Sequence, residues 1–252
     1  MDKIICIIPA RLNSTRYPKK LLQKIENIEI VEHVRRRAKL ITNLSEVYIA
    51  TPDQEIANKI NSYGGKCIMT SSNHSNGTSR VIEAAKTIDY DYLLIIQGDE
   101  PLIIPQEIDK NITHILRSKE SHKVWNFISK INNKDDKLNQ SIVKCEVDLN
   151  DNIIDCKRLY SEFDSKKIYE LLGIFIFSSK FIKNYSDLKY SQRQNDESIE
   201  QLLLLDNNIT IKTLKHNNFL KSINLEIDLE IVKKILKTDQ MQKKILSKII
   251  NE

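Results

Sequence analysis

Short apolar runs that alternate with helical segments limit the possible folds of this chain more than any other feature. Residues 3–8 and 92–96 are nearly continuous apolar runs, a pattern typical of strands buried on both faces of a sheet. Segments with helical periodicity separate such runs along the N-terminal half. Because strands separated by helices form right-handed βαβ units, the sequence predicts an α/β fold with a mainly parallel sheet flanked by helices.

The predicted order of elements is regular at first and loosens after Ser118. The predicted strands span residues 3–8, 46–50, 66–69, 92–96, 124–131, 142–147 and 169–177. The predicted helices span residues 30–40, 53–63, 78–87 and 106–118, and the segments 197–205 and 209–214 and two helices at 229–237 and 241–250 complete the fold. We predict a single domain over residues 1–252, in which residues 123–190 form a β-rich subregion or a dimerisation flap.

The charge balance argues against nucleic acid as a partner. The formal charge is +5, but the basic residues are spread among acids along most of the chain. The dense cluster of Arg35, Arg36 and Arg37 lies in a helical pattern, which we interpret as a solvated helix face and not as a DNA-binding surface. A modest positive excess suits an enzyme with anionic substrates.

The apolar runs and the cysteines restrict location and redox chemistry. The longest apolar runs, such as residues 4–8 and 202–205, are far too short to cross a bilayer, and the first residues lack the features of a signal peptide. We therefore expect a cytoplasmic protein without membrane insertion. The four cysteines have no C-x-x-C spacing, so buried reduced thiols are expected in place of zinc ligands or disulfides.

The segment after the first strand, residues 9–22 (PARLNSTRYPKKLL), combines cationic and hydroxyl side chains. It lies at the carboxyl edge of the predicted sheet, where open α/β sheets bind ligands. Guanidinium and ammonium groups bind phosphate oxygens, so the segment predicts a phosphate site, although a basic surface loop is the alternative for the segment alone. Neither a G-x-G-x-x-G motif nor a Walker P-loop is present. The predicted phosphate ligands are Arg11, Arg16, Lys20, Ser14 and Thr15.

The string QGDEP, residues 97–101, follows the predicted strand 92–96. Asp99 would therefore lie at the carboxyl end of that strand, beside the first loop. A carboxylate in that place suits Mg²⁺, which prefers one or two carboxylates together with phosphate oxygens and water. Gly, Asp and Pro are each ordinary turn residues, so a simple turn would explain any one of them. It explains the whole string less well.

A third string, HSNGTSR at residues 74–80, precedes a predicted helix. Gly77 permits a close approach of the backbone to a ligand, and Thr78 is predicted to cap the helix. Free N–H groups at the helix start suit an anion or the edge of a base. We interpret His74 as structural and Arg80, in the first helical turn, as a ligand candidate.

In this order the strings resemble the 3-deoxy-manno-octulosonate (Kdo) cytidylyltransferase family, also called CMP-Kdo synthetases. The family pattern is PAR-x-x-S-[TS]-R-[LF]-P-G-K-x-L, then H-x-S-G-T-[DE]-R, then QGDEP. The similarity continues over nearly the whole chain, in residues 47–53, 64–70, 143–144, 172–175 and 197–202.

The resemblance implies a Rossmann-like, nucleotide-diphospho-sugar transferase fold, a β-rich dimerisation region and a homodimer. It implies the reaction of CTP with the acidic sugar Kdo to give CMP-Kdo and diphosphate with Mg²⁺, for lipopolysaccharide or capsule synthesis. By position, the catalytic residues would be Arg11, Lys20 and Asp99. The implied nucleotide-binding residues are Pro9, Ala10, Arg11, Ser14, Arg16, Lys20, Thr78, Arg80 and Gln97. The implied sugar-binding residues are Arg80, Gln97, Arg158, Glu200 and Gln201.

Several departures from the family fall on functional positions. Lys19 replaces the glycine of the P-G-K loop, and Asn224 replaces the metal-binding aspartate of G-V-D-T-P. The implied metal ligands are therefore Asp99 and Asn224, with weaker binding unless Glu226 or Asp228 compensates. The sugar half departs more than the nucleotide half, which leaves the identity of the sugar open.

Three other functions remain open from the sequence. They are the same reaction on amino-Kdo or a nonulosonic acid, a nucleotidyltransferase that uses UTP or GTP with a sugar phosphate, and a weakened paralogue with a binding or regulatory role. The predicted mechanism is in-line displacement at the α-phosphorus of CTP by the anomeric hydroxyl, catalysed by positioning and charge neutralisation. The sequence offers no convincing general base.

Overall fold

A computed structural model describes residues 2–14, 16–118, 122–131, 134–163, 167–218 and 220–250. From α1 onward, strands and helices alternate as far as residue 117. The elements of this part of the chain are β1 (Ile4–Pro9), β2 (Lys24–Ile25), β3 (Ile28–Glu29), α1 (Ile30–Lys39), β4 (Glu46–Thr51), α2 (Gln54–Ser62), β5 (Lys66–Met69), α3 (Gly77–Ala85), β6 (Tyr92–Ile96) and α4 (Pro105–Arg117). The later elements are β7 (Val124–Lys130), α5 (Lys134–Leu138), β8 (Lys144–Val147), β9 (Asn152–Lys157), β10 (Ile168–Ser178), α6 (Ser179–Ile182), α7 (Gln192–Glu197), α8 (Gln201–Asp206), β11 (Ile211–Lys215), α9 (Glu226–Thr238) and α10 (Gln240–Ile250).

The chain divides into two compact units. The first unit comprises Met1–Leu116 and Leu220–Glu252, and the second comprises Arg117–Phe219. The predicted subregion 123–190 falls within the second unit. Its proposed part in dimerisation stays a prediction.

The first unit contains the predicted parallel sheet. Its strands lie side by side in the order β5, β4, β1 and β6, and every adjacent pair is parallel. All residues of β1 are buried, as its continuous apolar run predicts for a strand covered on both faces. Since the strands are parallel, their carboxyl ends share one edge, and the loops that follow β1 and β6 emerge there.

The second unit is β-rich and mostly antiparallel. β10 pairs antiparallel with β7 and with β8, β9 pairs antiparallel with β8 and β11, and β11 runs parallel to β7. Hydropathy does not indicate β9, because its residues do not alternate cleanly between polar and apolar. A tight turn sets its position, since the Asp148 carboxylate accepts the N–H groups of Asn150 and Asn152.

The segment 197–205, treated as one piece in the sequence, is divided between α7 and α8. Ser198 follows α7 in the left-handed conformation, with φ of 51° and ψ of 47°. Hydropathy does not indicate such a break, because the break depends on the left-handed backbone of Ser198 and on bonds from the N–H groups of Ser198 and Ile199 to the backbone oxygen of Gln194. Glu200 therefore stands directly before α8, and Gln201 begins that helix.

The interpretation of the α1 arginines as a solvated face is wrong. Arg35, Arg36 and Arg37 are all buried, and the fully buried carboxylate of Glu32 accepts hydrogen bonds from Arg35 and Arg36 at 2.7 Å. Arg37 donates to the backbone oxygen of Ile103 at 2.9 Å and to Gln242 at 2.7 Å. Internal pairing and the covering helix α10 explain the burial, which also withdraws these guanidinium groups from nucleic acid.

The structure also locates the cysteines and bears on membrane insertion. Cys6, Cys145 and Cys156 are buried free thiols, whereas Cys67 is a half-buried free thiol whose pKa is raised by burial to about 11. In the part of the chain that the structure describes, none of the helices combines the length and the apolar character needed to span a bilayer.

Candidate nucleotide-binding site

Two glycines show that the three sequence strings meet at the carboxyl edge of the first unit. A Cβ atom on Gly98 would lie 2.9 Å from the backbone oxygen of Pro9. A Cβ atom on Gly77 would lie 2.9 Å from the Gln97 side chain and 3.1 Å from the Pro9 ring. Only glycine allows such close packing. The end of β1, the QGDEP string and the start of α3 therefore form one surface.

Lys20 and Asp99 are the central pair of this surface. Lys20 Nζ lies 2.6 Å from Asp99 Oδ2, and it also donates to the backbone oxygen of Ile223 at 2.7 Å. The N–H group of Ile223 in turn donates to the backbone oxygen of Asp99 at 3.0 Å. These bonds bring the segment that contains Asn224 beside the predicted metal ligand.

Lys19 adopts the backbone conformation that the family's glycine would favour. Its φ is 51° and its ψ is 25°, in the left-handed region, which costs a residue with a Cβ atom about 1 kcal/mol or more. Its ammonium group pairs with the exposed Glu55 at 2.9 Å. Lys19 thus holds a backbone conformation that glycine tolerates more easily, and the next residue, Lys20, is directed toward Asp99.

The other cations of the first loop are exposed. Arg16 Nη2 donates to Asn224 Oδ1 at 3.3 Å, which places this guanidinium beside the second implied metal ligand. Burial is the main cause that lowers the pKa of Arg80, and the positive charge of the nearby Arg11 lowers this pKa further. Ser14 is half-buried in the same loop, whereas Thr15 lies outside the described residues.

Backbone and carboxylate contacts fix the start of this loop. The N–H group of Ala10 donates to the backbone oxygen of Ala50 at 2.9 Å, so Pro9 and Ala10 are held at the end of the sheet. The N–H group of Leu12 donates to Asp53 Oδ2 at 2.8 Å. The sequence predicts that Asp53 caps α2, but the side chain of Asp53 makes no capping hydrogen bond, so this prediction is wrong. The carboxylate holds the first loop in place instead, a role that sequence reasoning missed.

The cap of α3 differs from the predicted one. Asn76 accepts the N–H group of Ser79 at 2.8 Å, and Thr78 is a buried residue inside the first turn. The prediction that Thr78 caps the helix is therefore wrong. Asn76 occupies the cap because it precedes the first helical residue and its short amide reaches the free N–H group. His74 contacts Ser79 and Glu83, in agreement with a structural role.

Arg80 has structural contacts of its own. It is 2% exposed, and its Nη1 donates to Thr70 Oγ1 at 2.7 Å and to the backbone oxygen of Ser71 at 2.9 Å. These bonds hold the segment after β5 against α3. The role of Arg80 toward a ligand stays a prediction, as does that of the half-buried Gln97.

The remaining predicted sugar ligands belong to the second unit. Gln201 is buried and donates to Asn126 Oδ1 at 2.9 Å, and Glu200 is half-buried. Arg158 donates to the backbone oxygens of Gln140, Glu197 and Ser198. The bonds of Arg158 thus join the loop before β8 to the turn before α8.

The oxygen donors near Lys20 are suited to a weakly held Mg²⁺. Asp99 offers a partly exposed carboxylate and Asn224 a neutral amide oxygen, and Mg²⁺ commonly binds one or two protein oxygens together with phosphate and water. Among the described residues there is no group of three or more His, Cys, Asp and Glu side chains that would enclose a metal without substrate. Asp99 and Asn224 offer oxygen donors of the kind that Mg²⁺ binds together with phosphate and water.

Asp228 does not replace the missing carboxylate. Its Oδ2 accepts the N–H groups of Asn224 and Leu225 at 2.9 and 2.8 Å, and its Oδ1 pairs with Lys221 at 2.9 Å. Burial alone would raise the pKa of the Asp228 carboxyl, but these hydrogen bonds outweigh it and lower that pKa. Asp228 thus orders the backbone of Asn224, and its carboxylate is already occupied.

A parallel α/β sheet with cations and a carboxylate gathered at its carboxyl edge defines a nucleotide-binding enzyme. A family model described as cytidylyltransferase matches residues 5–223, and the chain belongs to that family of nucleotidyltransferases. The family resemblance and the α/β fold inferred from the sequence are thereby confirmed.

Similar proteins carry more specific names. A 3-deoxy-manno-octulosonate cytidylyltransferase of Thermodesulfovibrio yellowstonii is 36% identical, over 93% of this chain and 98% of that protein. An 8-amino-3,8-dideoxy-manno-octulosonate cytidylyltransferase of a Shewanella species is 32% identical, over 83% of this chain and 88% of that protein. The solved structure of a CMP:2-keto-3-deoxy-manno-octonic acid synthetase complexed with CTP has a TM-score of 0.85 and 27% identity, and covers 94% of this chain and 99% of that one.

Proposed function

We propose that this protein transfers CMP from CTP to Kdo, with release of diphosphate. The observation that carries the proposal is the meeting of Lys20, Asp99 and the Asn224 segment at the carboxyl edge of a nucleotide-binding sheet. Support for the sugar comes from relatives named for this substrate that are similar over most of the chain. From the family resemblance we also propose a cytoplasmic homodimer.

In the proposed reaction, the anomeric oxygen of the sugar attacks the α-phosphorus and releases its proton to solvent. A new P–O bond forms to the sugar, and the bond from the α-phosphorus to the bridging oxygen breaks as diphosphate leaves. Arg11, Arg16 and Lys20 would bind the triphosphate oxygens and neutralise the charge that accumulates on diphosphate. Mg²⁺, held by Asp99 and Asn224, would supply further charge neutralisation when bound.

A panel of substrates tests this function. Diphosphate release is measured with CTP, UTP or GTP, each combined with Kdo, 8-amino-3,8-dideoxy-manno-octulosonate or a nonulosonic acid. We expect the highest kcat/KM with CTP and Kdo. One relative is named for the amino sugar. Faster turnover with that sugar would change the proposed substrate but not the proposed type of reaction. Binding of CTP without turnover on any sugar at high Mg²⁺ would point to a regulatory paralogue.

The neutral amide of Asn224 leads to a gain-of-function prediction. In Asn224→Asp we expect the Mg²⁺ concentration for half-maximal turnover to fall by about three- to tenfold, because a carboxylate binds the ion more strongly than an amide oxygen. The measurement is initial rate against Mg²⁺ at saturating CTP and sugar. Asn61→Asp, which adds the same charge on the exposed face of α2, should leave the curve unchanged. An unaltered curve in Asn224→Asp would remove this residue from the metal site.

The ion pair between Lys20 and Asp99 predicts competition with metal. In Lys20→Met, binding of Mn²⁺ without nucleotide should tighten by about three- to fivefold, since the ammonium group no longer occupies Asp99 Oδ2 at 2.6 Å. Free Mn²⁺ is followed by electron paramagnetic resonance. Lys19→Met changes the adjacent, exposed lysine and should have no effect. Equal Mn²⁺ affinity in wild type and Lys20→Met would mean that the lysine does not compete for the carboxylate.

A further inference from the structure

We infer that Arg158 is a positioning residue that holds the turn before α8, and not a direct ligand of the sugar. Its Nε donates to the backbone oxygen of Glu197 at 2.8 Å, and its Nη2 donates to that of Ser198 at 3.0 Å. Its Nη1 donates to the backbone oxygen of Gln140 at 2.9 Å. Each nitrogen of the guanidinium is therefore directed at a backbone carbonyl. The consequence for sugar binding rests on the proposed function.

The turn held by Arg158 has local bonds and bonds from outside its own segment. Ser198 has a left-handed backbone, which is unfavourable for a residue with a Cβ atom. The N–H groups of Ser198 and Ile199 both donate to the backbone oxygen of Gln194. Arg158 adds bonds to the two carbonyls that flank the Cα atom of Ser198, and hydrogen bonds from a charged donor are stronger than those from a neutral one. The geometry thus assigns part of the stability of the turn to Arg158.

A buried cation, Lys144, fixes the backbone of Arg158. Lys144 is fully buried, and its Nζ donates to the backbone oxygens of Asn139 and Ile142 at 2.6 and 2.9 Å. It also donates to the backbone oxygen of Arg158 at 2.8 Å. Lys144 therefore anchors both the loop that contains Gln140 and the backbone from which the Arg158 side chain extends.

The supported turn leads directly into the predicted sugar residues. Glu200 and Gln201 follow Ser198 by two and three residues, and Gln201 is directed into the unit by its bond to Asn126. A change in the turn would move both side chains together. A residue that acts in this way alters the affinity for the sugar without touching it, and it leaves CTP binding unaffected.

Hydrogen exchange tests the inference without any substrate. In Arg158→Gln we expect the amides of residues 197–201 to exchange at least about tenfold faster than in wild type, as measured by mass spectrometry on the free protein. Arg117→Gln is the matched control, since Arg117 is an exposed arginine of the same unit, at the end of α4 and outside the two helices that flank this turn. The control should leave exchange in residues 197–201 unchanged. Unchanged exchange in Arg158→Gln as well would overturn the positioning role.

Steady-state kinetics supply the second readout. With CTP and the preferred sugar, Arg158→Gln should raise the KM for the sugar by about tenfold and leave the KM for CTP within about twofold of wild type. If Arg158→Gln does not fold, Arg158→Lys takes its place, because it keeps a cation but cannot reach all the carbonyls. A raised KM with unaltered exchange would assign Arg158 to direct sugar contact. Absence of turnover in wild type would contradict the proposed function, while the exchange result would still decide the positioning role.

Discussion

Asp99→Asn is expected to lower kcat by about 10²–10³-fold, the effect typical of removing one electrostatic contact to the transition state. The substitution keeps the size of the side chain and removes the negative charge that pairs with Lys20 and would bind Mg²⁺. The measurement is diphosphate release at saturating CTP and sugar over a range of Mg²⁺ concentrations. We expect excess Mg²⁺ to restore only part of the rate, because the amide oxygen remains a poorer ligand.

The control for this variant is Asp89→Asn. Asp89 is an exposed acid of the same unit that lies before the amino end of β6, away from the edge where Asp99 stands. The Asp89→Asn substitution removes the same charge and should leave kcat within about twofold of wild type. Retention of wild-type kcat in Asp99→Asn would separate Asp99 from the chemistry and contradict the proposed mechanism.

The second large effect concerns stability. Glu32→Gln should lower the free energy of unfolding by about 3–5 kcal/mol, the range for removing one partner of a buried ion pair. Glu32 is fully buried and pairs with both Arg35 and Arg36, so its neutral variant leaves two interior guanidinium groups without a counter-ion. Burial already lowers the pKa of the adjacent Arg37 to about 9, which shows how poorly this interior accommodates positive charge.

Urea unfolding followed by circular dichroism measures this loss. The control is Glu55→Gln, which removes an exposed partner of Lys19 and should cost less than about 1 kcal/mol. If Glu32→Gln and Glu55→Gln proved equally stable, the α1 arginines would have other sources of compensation. Replacing Glu32, Arg35 and Arg36 together by apolar residues of similar size should recover much of the loss, since none of the three positions then carries a charge.

The part of the site that depends on strand direction could be predicted from sequence. Continuous apolar runs mark β1 and β6 as buried parallel strands, and the residues after such strands share one edge. That argument alone brings the loop of Lys20 beside Asp99, and the pair is found in contact. Distance along the chain does not matter here, because the sheet joins the two loops.

The sequence alone could not predict which of several possible partners a polar side chain binds. Periodicity could not show that the α1 arginines are internal, since Arg37 pairs with Gln242, 205 residues away. It also could not show that Asp228 is used by the backbone of Asn224 and Leu225. Nor could it choose between Asn76 and Thr78 as the cap of α3, because both residue types accept the free N–H groups of a helix.

The contact between Lys20 and Asp99 also bears on which ions the protein would ignore. An isolated anion such as phosphate must draw the ammonium group away from its carboxylate and leave that carboxylate uncompensated. A polyphosphate that carries its cation brings both a negative and a positive charge. The phosphate can pair with Lys20 while the cation pairs with Asp99, so neither side chain is left without an opposite charge. At Lys20, the neutral pair would therefore favour a polyphosphate that carries its cation over a bare anion.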